Sequence, residues 1–383
     1  MENLNQRLAA LTLLRKELHK NPEVSGKEVQ TAKRITSFLE NYPPDEIRTK
    51  VGLTGILAIY RGKTVGETVL FRCELDALPI QEINTFEHRS LINGVSHKCG
   101  HDGHMAILCG LAMELHYNRP ETGTVILLFQ PAEEDGSGAA AVYNDPQFSC
   151  KPDFAFALHN IPGYKKHQIV VKNNTFSCAV NSLIIKLKGI TAHAGEPHKG
   201  TNPALALAKI TTAFDQFIQD DISKEDYCLI TPIYSKMGKK AYGVSAGAAQ
   251  IHFTVRTNSN AQMKHIESKL EQLAQSIAAK FDLKCKTSWT QSFQANENHL
   301  EAVQQILKAA EFHDFEILDK ENPFSWGEDF GLFTQQFPGA MFGLGSGITT
   351  PALHNPDYDF PDEIIATGLQ TFLQISKQIT NAH

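Results

Sequence analysis

No stretch of about 18 or more apolar residues occurs in this 383-residue chain, so a membrane-spanning helix is not expected. The opening residues, Met1-Glu2-Asn3-Leu4-Asn5, have neither a basic segment nor an apolar core and do not read as a secretory signal. A basic run is missing as well. With 36 Lys and Arg against 42 Asp and Glu, the formal charge is −6, and nucleic acid is not an expected partner. Cysteine is present but unorganised: seven residues at irregular spacing make a poor disulfide framework and point to reduced thiols and a cytoplasmic location. Repeats and low-complexity stretches are also lacking. What remains is ordinary for a soluble protein with a sizeable core, at 42% hydrophobic and 20% charged residues, and the length suggests two domains. Histidine is the exception. There are 16, several beside Cys, Asp or Glu and close to apolar runs.

Leu4, Leu8, Leu11, Leu14 and Leu18 recur at helical spacing and predict an amphipathic first helix. Ser25-Gly26-Lys27-Glu28 has the pattern of a capping box and predicts a second helix running towards Asn41, stopped by Pro43-Pro44. Beyond it, the segments 68–75, 124–129, 154–158 and 340–344 read as buried strands between helical stretches. That alternation predicts an α/β domain with a mostly parallel mixed sheet flanked by helices. The middle differs, with strands at 182–188, 227–235, 250–255 and 283–290 and helices at 203–218 and 261–280. The order β-α-β-β-α-β is ferredoxin-like and predicts an inserted α+β domain over 180–292, within a first domain made of 1–179 and 293–383.

In open α/β sheets, ligands bind where the strands end. Strand 68–75 is followed by Asp76, strand 124–129 by Gln130-Pro131-Ala132-Glu133-Glu134, and strand 154–158 by His159-Asn160. The last strand leads to Leu353-His354-Asn355-Pro356, and Ser96-His97-Lys98-Cys99-Gly100-His101-Asp102-Gly103-His104 precedes the apolar helical run 105–115. Residues distant in sequence thus meet at one sheet edge, as a metal site requires. A thiolate, imidazoles and carboxylates suit Zn, Ni or Mn better than Mg or Ca. Of two adjacent glutamates, one can bind metal while the other takes a proton from an activated water.

These stretches resemble the metal-dependent aminoacylase/carboxypeptidase-type amidohydrolases, in the branch of hippurate and indoleacetyl-amino-acid hydrolases. The resemblance is carried by LDALPI (75–80), HKCGHDGHMA (97–106), FQPAEE (129–134), ALHN (157–160), GITAHAGEPHKGTNPA (189–204) and LHNPDYDF (353–360), in the family's order and across nearly the whole chain. It implies a zinc-exopeptidase-like catalytic domain and a pair of divalent metal ions (Zn, Mn or Ni) held by Cys99, His101, Glu134, His159 and His354. It further implies Glu133 as general base and Asp76 as the outer carboxylate that orients a ligand. His193 would stabilise the oxyanion, and Arg256 would hold a substrate carboxylate. The implied reaction is hydrolysis of an N-acyl amino acid or a related small amide, in a homodimer formed through the inserted lid domain. A dipeptidase or carboxypeptidase on the same scaffold, or a non-catalytic metal-binding relative, are the alternatives.

Taken singly, each residue has a plainer reading. Cys99 alone would be a small buried hydrophobe, Glu133-Glu134 a solvated pair, and His159 and His354 structural histidines. His97 and His104 can be ligands or local hydrogen-bond partners. His193 lies in a segment that would turn anyway, and Arg256 can simply pair with an acidic neighbour. Cys73, Cys109, Cys150, Cys178, Cys228 and Cys285 lack partners at metal spacing. The chain departs from the family in two places: Gly243-Val244-Ser245-Ala246-Gly247 stands where relatives carry Asn-x-Ile-Pro, and Trp326-Gly327-Glu328-Asp329-Phe330 where they have Ser-Glu-Asp-Phe. Both leave substrate identity open.

Overall fold

The N-terminal leucine pattern forms the helix Leu4–Lys20, which buries Leu11 and Leu18 together with Arg15 and His19. The second helix, Val29–Leu39, forms without the capping box. Ser25 instead donates its hydroxyl to the Asp76 carboxylate at 2.7 Å, and the Glu28 side chain accepts hydrogen bonds from Gly26 N and Ala132 N. Tertiary partners outcompete the local pattern because both side chains are drawn into a buried polar neighbourhood, where an unpaired donor costs more than a lost cap.

A computed structural model describes residues 4–381. The chain divides into two units, one of Met1–Phe176, Asn296–Glu321 and Glu328–His383, the other of Ser177–Ala295 with Asn322–Gly327. The first is built on an eight-stranded sheet. From edge to edge it runs Glu46–Val51, Gly55–Arg61, Thr122–Gln130, Thr64–Glu74, Phe154–Pro162, Gly339–Gly347, Ile169–Val171 and Ile317–Asp319. The middle four strands are mutually parallel, whereas Gly55–Arg61 and the outermost Glu46–Val51 pair antiparallel. The α/β layer is therefore the predicted one, with two further outer strands: Gly55–Arg61, whose apolar run is buried, and Glu46–Val51, which has no such run. Val125–Phe129 and Ala155–Leu158 are buried throughout, as strands covered on both faces must be. The helix His101–Tyr117 is apolar almost all round and packs against Leu4–Lys20 and the last helix, Ile364–Thr380.

In the second unit a four-stranded antiparallel sheet has the order Cys228–Met237, Ala248–Thr257, Ala179–Lys188, Lys284–Phe293. Taken in chain order, the first and third strands are central, as the ferredoxin-like pattern demands. Leu183, Ile185 and Leu187 alternate into a core closed by the helices Ala204–Ala213 and Asn260–Ala279. Ser259 caps the longer helix, accepting from Gln262 N at 3.2 Å. Ser259→Ala should cost about 1 kcal/mol of that unit's stability, read as a lower urea midpoint with unchanged far-ultraviolet circular dichroism.

Candidate metal centre

Parallel strands finish at a common edge, and here the edge collects the polar residues. Asp76 follows Thr64–Glu74, Glu133 and Glu134 follow Thr122–Gln130, and His159 lies within Phe154–Pro162. Cys99 arrives on the loop before the helix that His101 begins. Between them Gly100 has φ +95°, and a Cβ there would stand 2.5 Å from the Asn160 amide oxygen, so only glycine fits. His354 is tied to the same loop, its N–H donating to Lys98 O at 2.8 Å, with its own backbone at φ +66°.

Ligand atoms of Cys99, His101 and His159 lie within 4.8 Å of one another, as do those of Cys99, Glu134 and His354, and those of His101, Glu133 and Glu134. The Cys99 thiol is 3.5 Å from His159 Nε2, and His354 Nε2 is 3.7 Å from a Glu134 oxygen. His101 Nε2 stands 3.9 Å from both Glu133 and Glu134. His101 Nδ1 faces Asp76 O at 2.9 Å and His159 Nδ1 faces Asn160 O at 3.0 Å. With Nδ1 facing a carbonyl in each ring, Nε2 is the nitrogen turned into the cluster, the one that a metal would take. Asp76 accepts from Ser25 and, at 3.0 Å, from Glu134 N, so it fixes the loop as well as the His101 ring.

The donor set fits divalent cations. His101 Nε2 and Glu134 Oε1 are buried without a hydrogen-bond partner, and each belongs to a triad. Burial and the charges of Glu328, Glu134 and Asp329 push Glu133 well above the usual carboxylate range. Burial lifts Glu134 to about 7, and burial together with Glu134 and Glu133 raises the Cys99 thiol. His101, despite its burial, is raised to about 10 by Asp76, Glu74 and Glu134. Negative charge is thus in excess at the front of the cluster, and positive charge brought between these groups relieves it.

Behind the cluster the buried acids have cationic or hydrogen-bonding partners. His104 Nδ1 meets Glu74 at 2.7 Å and its Nε2 accepts from Asn160 N at 3.2 Å, so both nitrogens are engaged and His104 is a support rather than a free ligand. Arg72 bonds Gln130, Glu74, Glu328 and Asp329, which makes the acidic pair after Gly327 part of a buried ion network. His97 is buried with neither ring nitrogen hydrogen-bonded, and burial, then His19 and His101, holds it neutral, at about 3. Sequence reasoning missed Arg72, Glu74 and Glu28. An Arg and a Glu two residues apart in an otherwise apolar strand was the available signal, since such charges are buried only when paired.

His193 and Arg256 belong to the second unit. His193 is exposed on the two-residue strand Ala192–His193, which pairs with Val244–Ser245, and its Nδ1 accepts from Gly195 N at 3.0 Å. Ala194 N donates to Gly243 O at 2.9 Å, so main chain engages the segment that lacks the family's asparagine. Arg256 donates to Ser325 O at 2.7 Å.

The helix that begins at His101 rests on a second ion network. His19 Nδ1 lies 2.8 Å and Arg15 3.2 Å from the Asp102 carboxylate, and His19 Nε2 lies 3.1 Å from Glu82. Although burial opposes it, Asp102 and Glu82 raise His19 from 6.5 to about 9. A group raised on folding stabilises fully below its unfolded value and loses that contribution as pH climbs through the folded one. Wild-type stability should therefore fall relative to His19→Gln between pH 6.5 and about 9, by at most about 1.4 kcal/mol per pH unit, in urea titrations at several pH values. Parallel slopes for the two proteins would remove His19 as their source.

The chain is 30% identical over 366 residues to N-acetyldiaminopimelate deacetylase of Brevibacillus brevis, covering 94% of this chain and 95% of that protein. It is 28% identical to N-acetylcysteine deacetylase of Bacillus subtilis, covering 95% of each. A Bacillus subtilis crystal structure described as a dinuclear metal binding peptidase from the M20 family superposes with a TM-score of 0.85 at 26% identity, covering 100% of both chains. Residues 70–378 match the model of peptidase family M20/M25/M40. With a match over that length, and the strand-end cluster inside it, the chain belongs to peptidase family M20/M25/M40.

Proposed function

We propose that this protein hydrolyses the amide bond of an N-acyl amino acid to a carboxylate and a free amino acid, with a pair of divalent ions (Zn, Mn or Ni) as cofactor. The observation that carries this reading is the pair of ligand triads sharing Cys99, with Glu133 beside them. Relatives named as deacetylases of N-acetylated amino acids support the substrate class. Cys99, His101, Glu134, His159 and His354 would hold the ions, which when bound supply Lewis acidity and a water of lowered pKa.

Glu133 takes a proton from the attacking water onto its carboxylate as the new C–O bond forms. It then delivers that proton to the amide nitrogen as the C–N bond breaks. Its raised proton affinity suits the second half of that cycle, and a neighbouring cation suits the first. Asp76 orients His101 and holds Glu134 N. His193 as the oxyanion-stabilising group and Arg256 as the holder of the substrate carboxylate rest on the family resemblance.

The cysteines are all free, and no described helix is long and apolar enough to cross a membrane, which supports the cytoplasm as the working compartment. Homodimerisation through the second unit is supported by its edge strand Cys228–Met237, where Ile233, Tyr234 and Met237 are exposed. An open strand edge with apolar side chains is a template for pairing.

Glu133→Gln should retain metal and fold while losing turnover by at least about 100-fold. Chelation should abolish activity, and added Mn, Zn, Co or Ni should restore it. The substrate class is checked with acetyl- and benzoyl-amino acids against unblocked dipeptides: preference for the blocked compounds is expected, and preference for dipeptides would make the enzyme a peptidase. Metal binding without turnover of any amide would leave a non-catalytic relative. Sedimentation velocity should give a dimer, and a monomer at every concentration would refute the pairing.

A further inference from the structure

The Glu28 carboxylate is fully buried far from Glu133 in sequence, yet its bonds end at the residue before it. One oxygen accepts from Gly26 N at 2.7 Å and Ala132 N at 2.9 Å, and the other accepts from the Thr54 hydroxyl at 2.8 Å. Ala132 has φ +50°, a left-handed conformation that costs a non-glycine residue energy and persists only when neighbours impose it. Its carbonyl is held as well, accepting from Gly138 N at 2.9 Å, so both polar groups of Ala132 are fixed. Close packing secures the turn, since a Cβ on Gly138 would lie 1.7 Å from Pro131 O. Glu134 has an anchor of its own, donating its N–H to Asp76 at 3.0 Å. Among the described hydrogen bonds, Glu28 is thus the one side chain that bonds the main chain of Ala132, while Gln130 Nε2 donates to Pro131 O at 3.3 Å.

We propose that Glu28 is a positioning residue for the general base: by holding Ala132 N–H it locks the left-handed turn that aims Glu133, while the ligand Glu134 is set separately through Asp76. The inference rests on the reading of Glu133 as base. Displacing a reacting group by about 1 Å can cost 100-fold in rate, which is the scale expected here.

Three variants separate positioning from general structural support. Glu28→Asp keeps the charge at the helix start but shortens the reach to Ala132. Glu28→Ala removes the acceptor altogether. Glu28→Gln is isosteric, and its amide oxygen can still accept both N–H groups while its NH2 turns to the Thr54 hydroxyl. With an N-acetyl amino acid that the wild type turns over, Glu28→Asp should lower kcat about 10- to 100-fold with KM within about 2-fold. Glu28→Gln should stay within about 3-fold of wild type, because its geometry is retained. Metal content and the chelator concentration that strips it should match wild type in all three. In a Glu133→Gln background, Glu28→Asp should cause no further loss.

Wild-type kcat in Glu28→Asp would overturn the proposal, as would metal loss in step with activity, or a fall in Glu28→Gln as deep as in Glu28→Asp. Should Glu28→Ala fail to fold, the Asp and Gln pair decides alone. The single Glu133→Gln variant keeps the two claims apart. If it remains active, the base assignment fails and takes this inference with it; if it is dead while Glu28→Asp is normal, only the positioning role fails.

Discussion

Uncompensated negative charge at the ends of parallel strands is the constraint on which the rest of this structure turns. Neighbouring parallel strands must finish on the same side, so Asp76, Glu133, Glu134 and His159 are delivered to one edge by topology alone. Burying carboxylates without partners is far more costly than any packing gain nearby. The protein answers this in part behind the cluster, where Arg72 pairs with Glu74, Glu328 and Asp329, His104 meets Glu74, and Arg15 and His19 meet Asp102. At the front it does not. Glu134 and His101 keep buried atoms without partners, and Glu133 and Cys99 hold their protons more tightly than usual. That contrast distinguishes a site prepared for cations from an ion network that only supports the fold.

A second row of buried residues sets the orientation of the first. Each front-row group leans on a buried partner: the His101 ring on Asp76 and its carbonyl, His159 on the carbonyl of Asn160, and the loop of His354 on Lys98 O. Lys98 in turn reaches Glu82 and, at 2.7 Å, Tyr358 O, which joins the cysteine loop to the segment after His354. Such pairs add little net stability, because desolvation consumes most of their attraction. What they supply is a single arrangement, since a half-satisfied alternative would strand a buried charge.

Much of this was legible in the sequence, and the reason is physical. Buried parallel strands read as apolar runs, and a polar residue right after such a run has few places to go except the sheet edge. The β-α-β-β-α-β order of the middle segment was equally open, because its strands alternate and its helices have a clear apolar stripe. What stayed hidden depends on partners distant in sequence. Ser25 and Glu28 carry a genuine capping pattern, and nothing local reveals that Asp76 and Ala132 will claim them instead. His104 has the spacing of a ligand, and only the buried Glu74 and Asn160 N show that both its nitrogens are taken. The edge strands Glu46–Val51 and Ile317–Asp319 were missed because they are half-exposed and lack a continuous apolar run, and Ile169–Val171 because three apolar residues are too short a run to read as a strand.

The same distinction bears on where chemistry and specificity can diverge in this chain. The cluster of the first unit sits among residues whose burial leaves little freedom: a Cβ at Gly100 would strike Asn160, and one at Gly103 would lie 2.3 Å from Phe360. Substitution there disturbs several partners at once, so the reaction type is held fixed. Gly243 itself is under no such restraint, although a Cβ on Gly247 would stand 2.4 Å from Thr191 N. Tyr242 and Val244 are exposed, a Cβ on Gly243 would meet nothing within 4 Å, and the local contact to Ala194 is made by main chain. Side chains can change at such a position at little cost to the fold, as exposed loops generally allow. The departure at Gly243 falls where the structure tolerates change, while Cys99, His101, Glu133 and His159 are buried and His354 is the exposed member of the cluster.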